Sequence, residues 1–214
     1  MATAKADILN RVRSALGTRE SDRVEEYRAI PREYRRTGTL GADARIELFI
    51  SRIQHYDGGI FRCDRAALAD TIADALSERS KRRLIVPPAF PREWLPAGFD
   101  FIADDNLDYH DLDGSEGALT TCTVAIAFTG TIVLSHSPSE GRRALTLVPD
   151  YHLSIVEGEQ IVETVPQAFD RLREIKPALV TTISGPSATA DIEMTRIMSV
   201  HGPRTLDVIV VESA

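Results

Sequence analysis

The stretch Ser184-Gly185-Pro186-Ser187-Ala188-Thr189-Ala190-Asp191-Ile192-Glu193 is the richest in groups able to hold a ligand. It follows an apolar run, Ala178 to Ile183, and leads into a helical pattern, Ala190 to Val200. In open α/β sheets such strand-to-helix junctions are where ligands bind. Gly185 permits close backbone approach, and Ser187 and Thr189 offer hydroxyls and N–H groups at the positive end of a helix dipole, which suits an anion. A purely structural reading stands beside this one: Ser187 or Thr189 is the N-cap, and Asp191 and Glu193 complement the dipole as first-turn acids. Ser184 and Gly185 belong to the candidate site in either case.

A second candidate is Thr129-Gly130-Thr131, between the apolar runs Thr123 to Ala127 and Ile132 to Leu134. Glycine permits a tight turn, and the two threonine hydroxyls suit an oxygen-rich ligand; a hairpin turn also needs glycine for its dihedrals alone. Arg142-Arg143 follows the flexible-looking segment Ser135 to Gly141, and two guanidiniums at the mouth of a site suit a carboxylate or phosphate. Surface arginines are also often simply solvated. His152 opens a strand after Pro149, where an imidazole serves as general base, as donor or as a structural group, and His201 precedes Gly202-Pro203. Cys122 lies before a core strand with no activating neighbour and reads as a buried thiol. Gly-x-Gly-x-x-Gly, Walker-type and Gly-x-Ser-x-Gly patterns do not occur.

The elements that must carry these residues follow from periodicity. Ile8, Val12, Ala15 and Leu16 recur at helical spacing, and Thr18 to Gly41, rich in Arg and Glu, reads as a linker or loosely packed arm. Residues 1–41 are therefore expected as an N-terminal helix and arm, and 42–214 as the main domain. Ile46, Phe49, Ile50 and Ile53 mark one face of a helix from about Ala42 to His55. Strands are expected at Ile60 to Cys63, Leu84 to Val86, Phe99 to Ile102, Ala118 to Cys122, Ala144 to Val148, His152 to Val156, Ala178 to Ile183 and Leu206 to Val211. Helices are expected after Asp64, through Leu68, Ile72 and Leu76, and after Pro166, through Phe169 and Leu172. This order predicts an α/β fold: a three-layer, mostly parallel sheet with an antiparallel insertion.

Composition narrows the chemistry. The 214 residues carry 25 Lys and Arg against 32 Asp and Glu, a net charge of -7, which gives no electrostatic reason to expect nucleic acid or an anionic membrane. The charged N-terminal stretch reads as neither signal peptide nor membrane anchor, so a cytoplasmic protein is expected. Cys63 and Cys122 are too few for an iron–sulfur cluster, and the five histidines lack the spacing that puts two imidazoles on one helical face. No redox cofactor or metal is expected in this chain.

The run from Ala125 to Leu134, then Gly141 to His152, then Ser184 to Glu193 and Val200 to Pro203, resembles in order and spacing the lactate-utilisation (LUD) domain. That resemblance implies a Rossmann-like fold similar to the ribose-5-phosphate isomerase, glucosamine-6-phosphate deaminase and CoA-transferase group. It also implies work alongside a cysteine-rich oxidoreductase and an iron–sulfur protein that oxidise L-lactate to pyruvate, with the clusters in those partner subunits. The candidate ligand-binding residues from the residue-level reading are Thr129, Gly130, Thr131, Arg142, Arg143, His152, Ser184, Gly185, Ser187, Thr189, Asp191 and Glu193, for a small carboxylate or phosphate. Relatives often carry an acid just before the Thr-Gly-Thr turn; Phe128 stands there in this chain, so the resemblance brings no carboxylate nucleophile. Three functional readings remain: a cofactor-free subunit of a lactate-oxidising system, an independent enzyme on small phosphorylated or acyl substrates, and a sensor or assembly factor docking through its N-terminal helix and arm.

Overall fold

A computed structural model describes residues 4–16, 23–189, 197–198 and 202–212. The chain divides into two compact units, the first ending at Tyr34 and the second beginning at Arg35. In the first unit, α1 (Ala4–Leu16) buries none of its residues. The expected loose arm contains a further helix, α2 (Arg23–Ala29). Glu25 and Glu26 in its first turn and Arg28 in its last complement the helix dipole, which compensates for its few apolar residues. Arg32 then stacks over the Tyr27 ring, 4.5 Å from its centroid, and donates to the Tyr27 carbonyl at 2.8 Å.

The second unit runs α3 (Ala42–His55), β1 (Gly59–Asp64), α4 (Leu68–Glu78), β2 (Arg83–Val86), β3 (Asp100–Ala103), α5 (Tyr109–Asp113) and β4 (Ala118–Thr120). There follow β5 (Val124–Ile126), β6 (Thr131–Leu134), β7 (Tyr151–Glu157), β8 (Ile161–Val162), α6 (Val165–Ile175), β9 (Thr181–Ile183), β10 (Ala188–Thr189), β11 (Ile197–Met198) and β12 (Thr205–Glu212). Six strands form a wholly parallel sheet in the order β1-β12-β7-β4-β2-β3. The antiparallel insertion is a second sheet, β8-β5-β6-β9, in which β6 runs against both β5 and β9. Among the described residues no helix is long and apolar enough to cross a membrane.

Central parallel strands must be apolar on both faces, because both are covered. On one face Leu153, Ile155, Ile209 and Val211 pack with Leu84, Val86 and Leu119 against Leu68, Ile72 and Leu76 of α4. On the other, Val156, Leu206, Val208 and Val210 meet Ile46, Phe49, Ile50 and Ile53 of α3 and Ala125, Ile132 and Leu134 of the second sheet. Each such side chain contributes roughly 1.5–3 kcal/mol when fully buried. The outer face of the second sheet, Val124, Ile126, Val133 and Val162, is capped by Ala168 and Leu172 of α6.

Two expected elements take other forms. Ala144 to Val148 is not a strand: Arg143–Thr146 is a 3-10 turn, with Leu145 N bonding Arg142 O at 3.0 Å and Leu147 N bonding Ala144 O at 3.1 Å. Ala144, Leu145 and Val148 pack together on Ile85, Leu112 and Ala118, a helix-like spacing that an apolar run does not distinguish from a buried strand. Where a helix from Ala190 to Val200 was expected, Ile197–Met198 is instead a strand, paired antiparallel with Ala188–Thr189. The rest of that segment lies outside the described residues.

The main unit begins at Arg35, before the expected Ala42, and Glu163 is the reason. Its side chain, 2% exposed, accepts from the backbone N–H of Thr39 at 2.5 Å and of Leu40 at 2.7 Å and pairs with Arg35. The Thr164 hydroxyl donates to Arg36 O at 3.1 Å. A Cβ at Gly38 would run into the Glu163 carboxylate, so glycine is required there. The Leu40 N–H, then that of Thr39 and the Arg35 charge, hold the Glu163 carboxyl below its ordinary pKa. Its contribution is therefore whole above the ordinary carboxylate range and is lost as pH falls through the depressed value. We expect the Thr39 and Leu40 amides to lose exchange protection in that acid window, and Glu163→Gln to lose much of it at neutral pH; NMR-detected hydrogen exchange checks both.

Candidate functional site

The two glycine turns do meet. Antiparallel pairing of β6 with β9 sets Ile132 opposite Ile183, which brings the β5–β6 turn beside Ser184-Gly185. Thr129 Oγ1 lies 2.7 Å from Thr131 Oγ1, and that oxygen lies 2.8 Å from Ser184 Oγ, so the three hydroxyls form one chain that knits the turns together. Gly130 has φ +58 and faces α3, where a Cβ would stand 2.6 Å from Arg52 Cβ. Gly185 has φ +84, and a Cβ there would stand 2.5 Å from Tyr56 Cβ. Both conformations and both contacts exclude a side chain.

Beside this junction opens a cavity of about 410 Å³. It is lined by Ser184, Gly185 and Ser187, by Arg143 and Thr146 of the 3-10 turn, and by His152 and Leu206 of the sheet. Thr129, Gly130 and Thr131 stand behind the wall and shape it indirectly. The cavity lies at the amino-terminal ends of β7 and β12, not at the carboxyl ends where open α/β sheets usually bind ligands. No helix N-terminus at Ser187 supplies its electrostatics either, since Ala188–Thr189 is a strand. The Thr189 side chain, Asp191, Glu193 and His201 lie outside the described residues.

The adjacent arginines separate. Arg142 forms a two-bond pair with Asp104, both bonds 2.8 Å, and donates to Leu107 O, which raises its pKa. It lines a neighbouring cavity of about 450 Å³ with His136, Ser137 and Leu179. Arg143 makes only two long hydrogen bonds, to Thr146 O at 3.3 Å and Thr146 Oγ1 at 3.4 Å, and no carboxylate among the described residues pairs with it. It forms part of the wall of both cavities.

His152 is fully buried. Its Nε2 bonds Thr120 Oγ1 at 2.9 Å, and its Nδ1 has no partner. Burial first, and the Arg143 charge second, lower its pKa to about 4. The ring is thus neutral near pH 7 and a weak base, since general-base catalysis favours a pKa close to the working pH.

The segment Ser135 to Gly141 is pinned, contrary to its loop-like composition. Glu140, 1% exposed, accepts from Ser135 N at 2.8 Å and Ser137 N at 3.0 Å and from the hydroxyls of Ser135 and Thr123. His136, at φ +57, bonds Gly141 O through Nδ1 and Thr181 Oγ1 through Nε2, both at 2.8 Å. Glu140, His136, Thr120 and Thr146 are the residues that sequence patterns missed; a lone acid among serines carries no periodic signal. Cys122 is the buried thiol expected, its pKa pushed well up by desolvation. Among the described residues no group of three or more His, Cys, Asp and Glu side chains is placed to hold a metal ion.

The LUD domain profile matches residues 97–211. The chain is 39% identical to lactate utilization protein C of Deinococcus radiodurans over 98% of its length and 96% of that relative's. The chain belongs to the LUD domain family. It is also 26% identical to lactate utilization protein C of Bacillus subtilis, over 91% of this chain and 90% of that relative. The crystal structure of a DUF162 family protein from Deinococcus radiodurans superimposes with a TM-score of 0.70 at 36% identity, covering 81% of this chain and 99% of that one. The LUD profile spans both the β5–β6 turn and the Ser184 turn, so the junction and its cavity fall within the family's own domain.

The two arginines should differ in stability tests. Arg142→Ala strands the buried Asp104 carboxylate and is expected to destabilise by up to about 3 kcal/mol, the lower end for a broken buried pair because Arg142 itself is 36% exposed. Arg143→Ala should lie within about 0.5 kcal/mol of wild type. Urea unfolding at equilibrium distinguishes them.

Proposed function

We propose that this chain is a subunit of a bacterial L-lactate utilisation system and that its seam cavity holds a small anion, a carboxylate or a phosphate, between Arg143 and the Ser184–Ser187 turn. The names of its relatives support the lactate setting. The observation that carries the binding role is the Arg143 guanidinium, in a cavity wall with two long hydrogen bonds and no counter-charge among the described residues. A guanidinium so placed suits planar, two-oxygen recognition of an anion. On this reading Thr129, Gly130 and Thr131 brace the turn, and Arg142 anchors the loop that delivers Arg143. Electron transfer then belongs to iron–sulfur and cysteine-rich oxidoreductase partners, with no redox cofactor in this chain.

The test is calorimetric titration of the full chain with lactate, pyruvate and inorganic phosphate, joined to growth on lactate. Loss of one charge-assisted contact corresponds to about 10- to 100-fold weaker binding, so Arg143→Ala should lose that much while staying folded. Arg143→Ala and Ser187→Ala should both slow growth on lactate. Unchanged binding and growth in both variants would sink the site, and stoichiometric iron or flavin in the purified chain would sink the cofactor-free reading.

One observation favours a second reading, an independent enzyme on a phosphorylated or acyl substrate. At about 410 Å³ the cavity has room for on the order of a dozen water-sized groups, more than a three-carbon acid fills. Tighter binding of a sugar phosphate than of pyruvate, with turnover by the isolated chain, would decide for it.

A further inference from the structure

The second cavity, of about 450 Å³, lies at the switch point of the parallel sheet. In the order β1-β12-β7-β4-β2-β3, the chain leaves β2 toward β3 on one side, while β4, on the other side of β2, leads on toward β7. Connections that depart in opposite directions leave a crevice outside the carboxyl ends of the two strands, and open α/β sheets bind ligands in such crevices. Pro88 follows the end of β2 and Asp104 the end of β3. The stretch Ser137 to Ser139 spans the ends of β2 and β4, since Ala89 N bonds Pro138 O at 3.2 Å and Thr121 N bonds Ser139 O at 3.4 Å. Pro88, Asp104, Ser137 and Pro138 all line the cavity.

Its walls are preformed. Asn106 at φ +56, His136 at φ +57 and Gly141 at φ +75 hold the left-handed backbone conformation, and all three line it. Backbone strain of this kind gathers at ligand sites, where the surrounding structure maintains it. Both ring nitrogens of His136 are hydrogen-bonded, and Arg142 makes two bonds to Asp104 and one to Leu107 O, which fix its guanidinium plane while the side chain stays 36% exposed. Most of the lining surface is apolar, with Pro88, Pro138 and Leu179 among its residues, in contrast to the hydroxyl-rich seam cavity. Apolar walls with a few placed polar groups are the usual makeup of a small-molecule site. A planar cation held in place in such a lining suits the flat face of an aromatic ring, on which guanidinium stacks. Elsewhere in the chain Arg65 covers the Trp94 ring at 4.8 Å and Arg82 the Phe99 ring at 5.4 Å; among the described residues neither Arg142 nor Arg143 covers a ring.

We propose that this second cavity binds a planar aromatic ring, carried by an organic anion whose charged group is held by Arg143, the arginine that lines both cavities. The inference rests on Arg143 as the anion-binding group of the proposed function and gives the bound anion an aromatic body. The ring buries apolar surface against Pro88, Pro138 and Leu179 and stacks on the fixed Arg142 guanidinium. Arg142, its charge already matched by Asp104, takes the ring; Arg143, with no carboxylate partner among the described residues, takes the charge.

The experiment is a methyl NMR titration of the full chain with benzoate and with acetate, which has the charge without the ring. Benzoate should bind at least about 10-fold more tightly, the lower end of what burial of a phenyl ring contributes. The Leu179 methyl signals, identified by their absence from Leu179→Asn, should shift under the ring current of benzoate far more than with acetate. Leu179 is 53% exposed, so Leu179→Asn should keep the fold, and it should narrow the advantage of benzoate over acetate by about 3-fold. Equal affinity for the two acids, or ring-current shifts that spare Leu179 and fall on Leu206 of the seam cavity, overturns this inference and leaves the anion site standing. Failure of both acids to bind removes the anion reading and this inference together.

Discussion

The central strands of the parallel sheet are buried on both faces, and the rest of the second unit is arranged to satisfy that constraint. Helix α4 covers one face of β7 and β12. The other face has two covers, α3 with the four-stranded sheet over Leu206, Val208 and Val210, and α5 with the 3-10 turn over Ile85 and Ala118. Each cover packs tightly on its own stretch of sheet, and the seam between them runs above His152. The cavity is what remains where two separately packed bodies press on one sheet.

Buried carboxylates hold irregular segments of this unit in place. Glu140 gathers the backbone of the loop after β6, Asp104 takes Arg142, and Glu163 draws in Thr39 and Leu40. Each acid is met by N–H or guanidinium donors, the charge-assisted bonds that offset the desolvation of an ion. The order along the chain has a geometric consequence. With Glu140 and Arg142 both fixed, the residue that follows is carried to the cavity wall by the 3-10 turn, and its long side chain has little else to bond.

The electrostatics of the cavity come from side chains at the amino-terminal edge of the sheet and not from a helix end at its carboxyl edge. Arg143 supplies the one charge described there, and the same charge helps keep His152 neutral.

Much of the architecture was legible before any coordinates. The helical spacing of Ile46, Phe49, Ile50 and Ile53, the apolar strands and the run Thr123 to Leu134 yielded the parallel sheet and its antiparallel insertion, because periodicity reflects which face is buried. Glycine at 130 and 185 marked both turns, since a positive φ excludes most other residues. Short apolar runs were the weak point: Ala144 to Val148 curls into a 3-10 turn because neighbours on Ile85 and Leu112 decide its form. Local pattern alone therefore settled the class of fold, the positions of the turns and the thiol at Cys122. Only tertiary structure decided which of two adjacent arginines lines the cavity, that Glu140 pins a serine-rich loop, and that Thr120 holds the His152 ring. Arg142 and His152 are decided by partners 38 and 32 residues away, and Glu140 joins a partner 17 residues away to N–H groups of its own loop; a linear pattern carries no record of such contacts.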